Sequence, residues 1–348
     1  MASPVAAEYM WSSVTSAFGE PCAFQQAMRA EGGLHFAVTH QGRFQARLSQ
    51  VTLDRLHISN IKESLPRIAF VRIPDDTVLI ALSLGSNSSQ IWGGVRLHAN
   101  ELVTCGPGTN VHTRTDGSCH WGSIRFPTKD IAHYSQALTG EALTVPDSVS
   151  LWRPPAPAFR LLRDLHSDAT RTTQAGSDVL AVSEVAHGLE QQVIHAVIEC
   201  LSGSLPARKT ADSETHRRED LMIRFEDLLA KLPGDDMRVA EVSLALGVSD
   251  RFLRRCCDVQ LGMSPVNYLK LRRLQLARCA LRHAAPDTLT VSAAAMRHGF
   301  RNPGRFAAEY RQLYGEAPSY TLRHGPHRLM PELAPRRRSG KRSVRPTT

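Results

Sequence analysis

The chain has 348 residues, 42% of them hydrophobic, enough for two ordinary globular cores, and no run approaches the ~18 consecutive apolar residues of a membrane span. The opening MASPVAAEYMWSSVTSAFGE has neither a basic start nor an apolar block, so no signal peptide is expected and the cytoplasm is the default location. The net charge of +9 is uneven: residues 1–216 hold 17 Lys/Arg against 20 Asp/Glu, residues 217–325 hold 18 against 12, and residues 326–348 hold 7 against 1, which places any polyanionic partner at the back.

From 34 to 126, short β-prone runs follow one another: LHFAVT (34–39), FQARLSQVTL (44–53), RIAFVRI (67–73), TVLIALSLG (77–85), QIWGGVRLH (90–98) and CHWGSIRF (119–126). Turn-type stretches separate them, PDD at 74–76, SNSS at 86–89 and GPGTN at 106–110. Many short strands without intervening helices predict an antiparallel sandwich or barrel. Helical patterns follow at 129–140, 157–170 and 178–201. The last carries Val182, Val185, Ala186, Leu189, Val193, Val197 and Ile198 at three- and four-residue steps. That stripe suits packing on the strands or on its copy in a second chain, and both destinations stay open.

Little here suggests an enzyme. His98, His112 and His120 are the candidate metal ligands, but no HxH pair occurs and no carboxylate is spaced to complete a set. There is no Gly-x-Ser-x-Gly elbow, Walker loop or GxGxxG, so no catalytic, metal or cofactor residue is expected. The seven cysteines, at 22, 105, 119, 200, 256, 257 and 279, include no CxxC and read as small core hydrophobes, with adjacent Cys256 and Cys257 as a minor redox alternative.

Residues 202–217, SGSLPARKTADSETHR, are polar and without period, which predicts a flexible connector between domains. Every later segment is helical in pattern. The run 219–231 places Leu221, Met222, Phe225, Leu228 and Leu229 on one face. Then VAEVSLAL (239–246) ends at Gly247, and Ser249 is placed to cap a new helix. Helix, short turn with Gly, helix is the helix-turn-helix pattern. It recurs at VSAAAMRH (291–298), Gly299-Phe300 and a helix beginning near Pro303. Leu253 and Phe306, Gly262 and Gly315, Pro265 and Pro318, and Leu269 and Leu322 all stand 53 residues apart. Between the copies, PVNYLKLRRLQLARCALR (265–282) starts with Ser264 and Pro265 and predicts a helical strut of about 27 Å. A strut of that length could set two recognition helices about 34 Å, one DNA turn, apart.

These stretches carry a resemblance. EVSLALGVSDRFLRRCCDVQLGMSPVNYLKLRRLQLAR and TVSAAAMRHGFRNPGRFAAEYRQLYGEAPSYTLR resemble the DNA-binding domain of the AraC/XylS family of bacterial transcription regulators, over 219–324. The resemblance implies seven helices, two helix-turn-helix units and binding to promoter DNA. It also implies activation through RNA polymerase. ELVTCGPGTNVH (101–112) looks like the turn of the cupin-like sensor barrel that many such regulators carry, with dimerising helices after it. The wording GRFAAEYRQLYGEAPS and the front-half layout are similar to the ethanolamine-utilisation regulator branch, and regulators of aromatic catabolism share much of it, so the inducer stays open.

In the first unit, Leu253, Val248 and Cys257 must face the core, which turns Arg251, Arg254 and Arg255 outward between Asp250 and Asp258. Arginine reads guanine bidentately or holds phosphate. In the second unit the outward positions are Gly304, Arg305, Ala307 and Ala308, with Arg301 and Asn302 nearby. Only Arg305 donates well to a base edge there, so the first unit is expected to carry most of the specificity. The expected DNA contacts are Ser249, Arg251, Arg254, Arg255, Arg301, Asn302, Gly304, Arg305 and Ala308.

The expected architecture is an all-β cupin-like barrel with trailing helices (1–201) for sensing and dimerisation, the connector (202–217), an all-α double helix-turn-helix domain (218–325) and a basic disordered tail (326–348) that adds salt-sensitive affinity. The expected protein is a homodimeric regulator answering an unknown small molecule. Its rivals are a ligand-independent repressor or architectural DNA binder, and a metal-dependent cupin enzyme fused to a DNA-binding domain.

Overall fold

The period-two runs of the amino half fold as two antiparallel sheets. The structure, a computed structural model, describes residues 11–29, 32–85, 89–174, 182–208, 213–231, 237–284 and 288–325. In chain order the amino half contains β1 (Ser12–Phe18), α1 (Pro21–Arg29), β2 (Gly33–Val38), β3 (Ala46–Thr52), β4 (His57–Glu63), β5 (Arg67–Arg72) and β6 (Thr77–Ser83). Next come β7 (Gln90–Trp92), β8 (Val95–Leu97), β9 (Leu102–Cys105), β10 (Asn110–Thr115) and β11 (Cys119–Pro127). The remainder is α2 (Thr128–Thr139), β12 (Val149–Arg153), α3 (Ala156–Gln174), α4 (Ser183–Ser202) and β13 (Leu205–Arg208).

The eight-stranded sheet runs β1-β3-β4-β11-β6-β9-β12-β13 and the five-stranded sheet β2-β5-β10-β7-β8. The expected barrel is corrected here: among the described residues neither sheet closes, because each ends on strands that have no partner in the other. The two sheets form a sandwich. Leu48, Ile61, Ala81, Val103 and Trp121 of the larger sheet meet Phe36, Val71, Trp92 and Val111 of the smaller one in a single core.

The outer face of the larger sheet is covered too. Ile58, Ile80, Leu82, Ile124 and Phe126 pack against Ile131 of α2, Phe159 and Leu162 of α3, and Val193, Val197 and Ile198 of α4. Burial on both faces explains why TVLIALS of β6 is a nearly continuous apolar run rather than an alternating one. The α4 stripe is thus used inside its own chain. Only Val182 and Val185, at its start, remain exposed.

The stretch read as a flexible connector is partly ordered. β13 pairs with β12, joining Arg153 to Leu205 and Trp152 to Pro206. Edge pairing needs only backbone groups, so this strand has no side-chain period to betray it.

The carboxyl half is helical: α5 (Ser213–Lys231), α6 (Val239–Leu246), α7 (Asp250–Leu261), α8 (Pro265–His283), α9 (Val291–Arg297), α10 (Pro303–Tyr314) and α11 (Pro318–Arg323). Leu221, Phe225, Val242, Leu253, Cys257 and Tyr268 centre the first core, and Leu274, Leu281, Ala295, Phe306 and Tyr310 the second. The strut α8 contributes to both. The 53-residue landmarks are structurally equivalent: Leu253 and Phe306 are fully buried, Gly262 and Gly315 end α7 and α10 with φ of 68° and 75°, and Pro265 and Pro318 open α8 and α11. No helix among the described residues is long and apolar enough to cross a membrane. The basic tail 326–348 lies outside the described residues.

Candidate nucleic-acid interface

The first helix-turn-helix is built from local chemistry. A capping box opens α6, where the Glu241 side chain accepts from the Arg238 backbone N–H at 2.7 Å. Gly247, at φ 67°, reverses the chain. The Ser249 hydroxyl then accepts from the Phe252 N–H at 3.2 Å and starts α7. With Leu253, Cys256 and Cys257 in the core, Arg251, Arg254 and Arg255 are driven to the exposed face. Arg255 pairs with Glu214 of α5 at 3.2 Å, the two side chains 65% and 43% exposed. That surface pair is screened by solvent and holds Arg255 only weakly.

The second unit repeats the plan with other groups. The Thr290 hydroxyl caps α9, accepting from Ala293 N–H at 3.1 Å. Gly299, at φ 77°, makes the turn. Asn302 caps α10, its Oδ1 accepting from the Arg305 N–H at 3.0 Å. Asn302 and Ser249, both expected at DNA, thus have a capping role in the free chain. Gly304, Arg305 and Ala308 are exposed, and Ala307 is half-buried. Arg305 lies along its own helix against Glu309 at 3.1 Å. A cationic groove separates the two units, lined by Arg238, Lys270, Arg273, Arg301 and Arg305, with Glu309 as its acid.

The amino half docks on this domain through the outer face of the smaller sheet. Ala37 of β2 and Ile68 of β5 enter the core of the first unit. Beside them Glu226 of α5 accepts hydrogen bonds from His112 Nε2 at 2.9 Å, from the Tyr268 hydroxyl and from Arg272. Burial alone would raise the Glu226 carboxyl, but Arg272 and His112 together hold it well below the usual carboxylate range. Burial, with Arg272 nearby, lowers His35 to about 3, so it is neutral. Cys22 of α1 and Cys279 of α8 form a disulfide across the same junction, with Cα atoms 5.6 Å apart. This corrects the reading of all seven cysteines as core thiols. No local signal could have found it, since the pair is 257 residues apart. Cys256 and Cys257 are free and buried.

The three candidate metal histidines are not brought together. His112 is at the domain junction, His120 Nε2 is 3.0 Å from Asn60 Oδ1, and His98 lies in the turn held by Glu101. Among the described residues no group of three metal-ligating side chains occurs. Between the sheets, near α1, a small cavity of about 20 Å³ is lined by Phe24, Met28, His35, Phe36, Val71 and Trp121. A buried ion pair, Arg67 Nε to Glu63 Oε2 at 3.0 Å, forms its polar wall, and Trp121 Nε1 donates to Glu63 Oε1 at 2.8 Å.

Residues 223–324 match the family model described as a helix-turn-helix domain. The chain is 42% identical over 179 residues to a probable thc operon regulatory protein of Rhodococcus erythropolis, covering 47% of this chain and 53% of that protein. It is 35% identical over 86 residues to a XylDLEGF operon transcriptional activator of Pseudomonas putida, 25% of this chain and 26% of that one. It thus spans about half the length of the first relative and a quarter of the second. Among solved structures, a probable AraC family transcriptional regulator from Rhodopseudomonas palustris is 32% identical, covering 31% of this chain and 99% of that one, with a TM-score of 0.28.

Proposed function

The chain belongs to the AraC/XylS family of transcription regulators, and from that premise we propose that it is a sequence-specific activator whose amino-terminal domain answers a small molecule. The observation that carries this reading is the doubled helix-turn-helix with Arg251, Arg254 and Arg255 exposed on α7. In this reading those arginines contact bases and phosphates of promoter DNA, and Arg301 and Arg305 contribute from the second unit. Residues 218–325 are the DNA-binding domain, and 1–201 form a cupin-like sensor whose sheets stay open. A homodimer, contact with RNA polymerase and a cytoplasmic setting complete the proposal; none of its steps needs catalysis.

The effector's place in this reading is the cavity between the sheets. Its lining is apolar apart from a buried ion pair, and at about 20 Å³ it must open before a molecule larger than a water can enter. A ligand shifts the regulator only if it binds two arrangements of the domains unequally.

The test is genome-wide occupancy of the tagged protein in its host, with Arg254→Ala as control. A few sharp sites that vanish in the control are expected, and their neighbouring genes nominate the effector. Diffuse occupancy unchanged by the substitution would reject sequence reading.

A further inference from the structure

The junction between α1 and the strut is built around a sulfur pair that the DNA-binding reading does not use. Cys22 is buried at 3% exposure, whereas Cys279 is half-exposed. Their Cα separation of 5.6 Å is that of a bridged pair. Gln275 Nε2 lies 3.7 Å from both sulfurs. Beside them the Glu20 carboxylate takes Arg278 at 2.9 Å and Arg282 at 3.4 Å. The other five cysteines are buried and not disulfide-bonded, and burial raises the thiols of Cys105, Cys200, Cys256 and Cys257. Their chemistry is correspondingly inert.

We propose that Cys22 and Cys279 are a thiol–disulfide exchange site that joins the sensor domain to the strut, and that its oxidation weakens DNA binding. The inference rests on the DNA-binding reading above. A regulator that works in a reducing compartment does not keep a structural disulfide, so a bridge there is transient and redox-sensing. The co-reactant is a low-molecular-weight disulfide. The Cys279 thiolate, the accessible one, attacks it and releases one small thiolate. Cys22 then attacks the Cys279 sulfur and expels the second. Two protein thiols become one disulfide, one small disulfide becomes two thiols, and the protons of the cysteines end on the leaving thiolates.

The consequence follows from where α8 stands. It links both helix-turn-helix units, and the sensor domain also abuts the ends of α7 and α10, where Arg114 lies over Gly262 and Gln41 over Gly315. A covalent tie from α1 to α8 therefore holds both units in the docked arrangement. Two recognition helices that must settle into successive major grooves lose the freedom to adjust. The reduced protein keeps the Glu20 clasp and the Gln26–His283 hydrogen bond at that point, non-covalent contacts that can part and re-form as the disulfide cannot.

The experiment uses the full chain with a protease site engineered between residues 208 and 213. After treatment with glutathione disulfide and cleavage, the halves should run together on a denaturing gel without reductant. They should part with dithiothreitol or in Cys22→Ser. Affinity is then measured for the duplex most enriched from a random pool by the reduced protein. Oxidation should weaken it at least threefold, and Cys22→Ser and Cys279→Ser should bind alike under both treatments. Halves that part after oxidation overturn the site. A smaller change, tighter binding, or a response that survives in both variants overturns its regulatory role. If either serine variant does not fold, Cys279→Ala takes its place. If no duplex is enriched, the DNA-binding reading fails, and the gel still decides the cross-link.

Discussion

Arg114 of β10 lies directly over Gly262, the left-handed glycine that closes the first recognition helix. The hairpin between β7 and β8 touches the same helix, with a Cβ on Gly94 falling 3.0 Å from Val259. Gly262→Ala therefore combines two costs. The left-handed backbone is strained by about 1–2 kcal/mol for a residue with a Cβ, and the methyl displaces the Arg114 guanidinium. Urea unfolding should show a loss of about that size. Adding Arg114→Ala should recover the steric part only; full recovery would show that the backbone strain is absent.

The Glu226 cluster is the buried polar link between the two halves. Removing one partner of a buried, hydrogen-bonded pair typically costs about 3–5 kcal/mol. Glu226→Gln keeps the shape but cannot serve His112, the Tyr268 hydroxyl and Arg272 together. A stability loss near the lower figure is expected, with faster hydrogen exchange in α5, α8 and β10. Wild-type stability in urea would show that the carboxylate charge is dispensable there.

Acid should weaken the fold well before ordinary carboxylates titrate. Burial lowers His35 to about 3 and His166 to about 4. Both are therefore neutral in the folded protein, while the unfolded chain binds their protons near pH 6.5. Below that point the unfolded state holds more protons, so stability falls as pH falls, by about 1.4 kcal/mol per pH unit for each histidine. The window runs from about 6.5 down to the folded values. Glu226 acts in the same direction lower down, because its depressed carboxyl stabilises above the unfolded value and is lost only on deeper acidification. Urea midpoints at pH 7 and 5.5 should differ, and His166→Gln should reduce the difference. Equal midpoints would sink the assignment of buried neutral histidines.

What was legible in the sequence is what local chemistry sets. Gly247, Ser249, Ser264 and Pro265 act within a few residues of themselves, and a second copy 53 positions on doubled their weight. Several strand runs were legible where apolar residues dominated, although LVTC of β9 and VSLWR of β12 were not read as strands. β4, His57–Glu63, was not, because its buried positions include Ser59 and Asn60. Asn60 is satisfied by Thr170 at 3.1 Å, a partner 110 residues away. The junction is hidden for the same reason: Ala37, Ile68, His112 and Cys22 acquire their roles from residues of the other half. Asn302, like Ser249, has a second role that local chemistry sets, since its short side chain caps α10.

The two recognition helices should read DNA unequally. On α7, Arg251 and Arg254 are exposed and Arg255 has a single half-exposed partner, Glu214. On α10 the outward residues are Gly304, Arg305 and Ala308, and Arg305 must first leave Glu309. A bidentate arginine–guanine contact discriminates by about 1–3 kcal/mol, and an alanine methyl against thymine by less. Arg254→Ala should therefore lower affinity about 5- to 100-fold at a selected duplex and relax the preference at one or two base pairs. Arg305→Ala should cost less and leave the preferred sequence unchanged. Substituting every base pair of that duplex in turn checks this directly. Equal penalties across both half-sites would mean that the alanine-faced helix reads DNA as strongly as the arginine-faced one, through contacts its exposed side chains do not offer in the free chain.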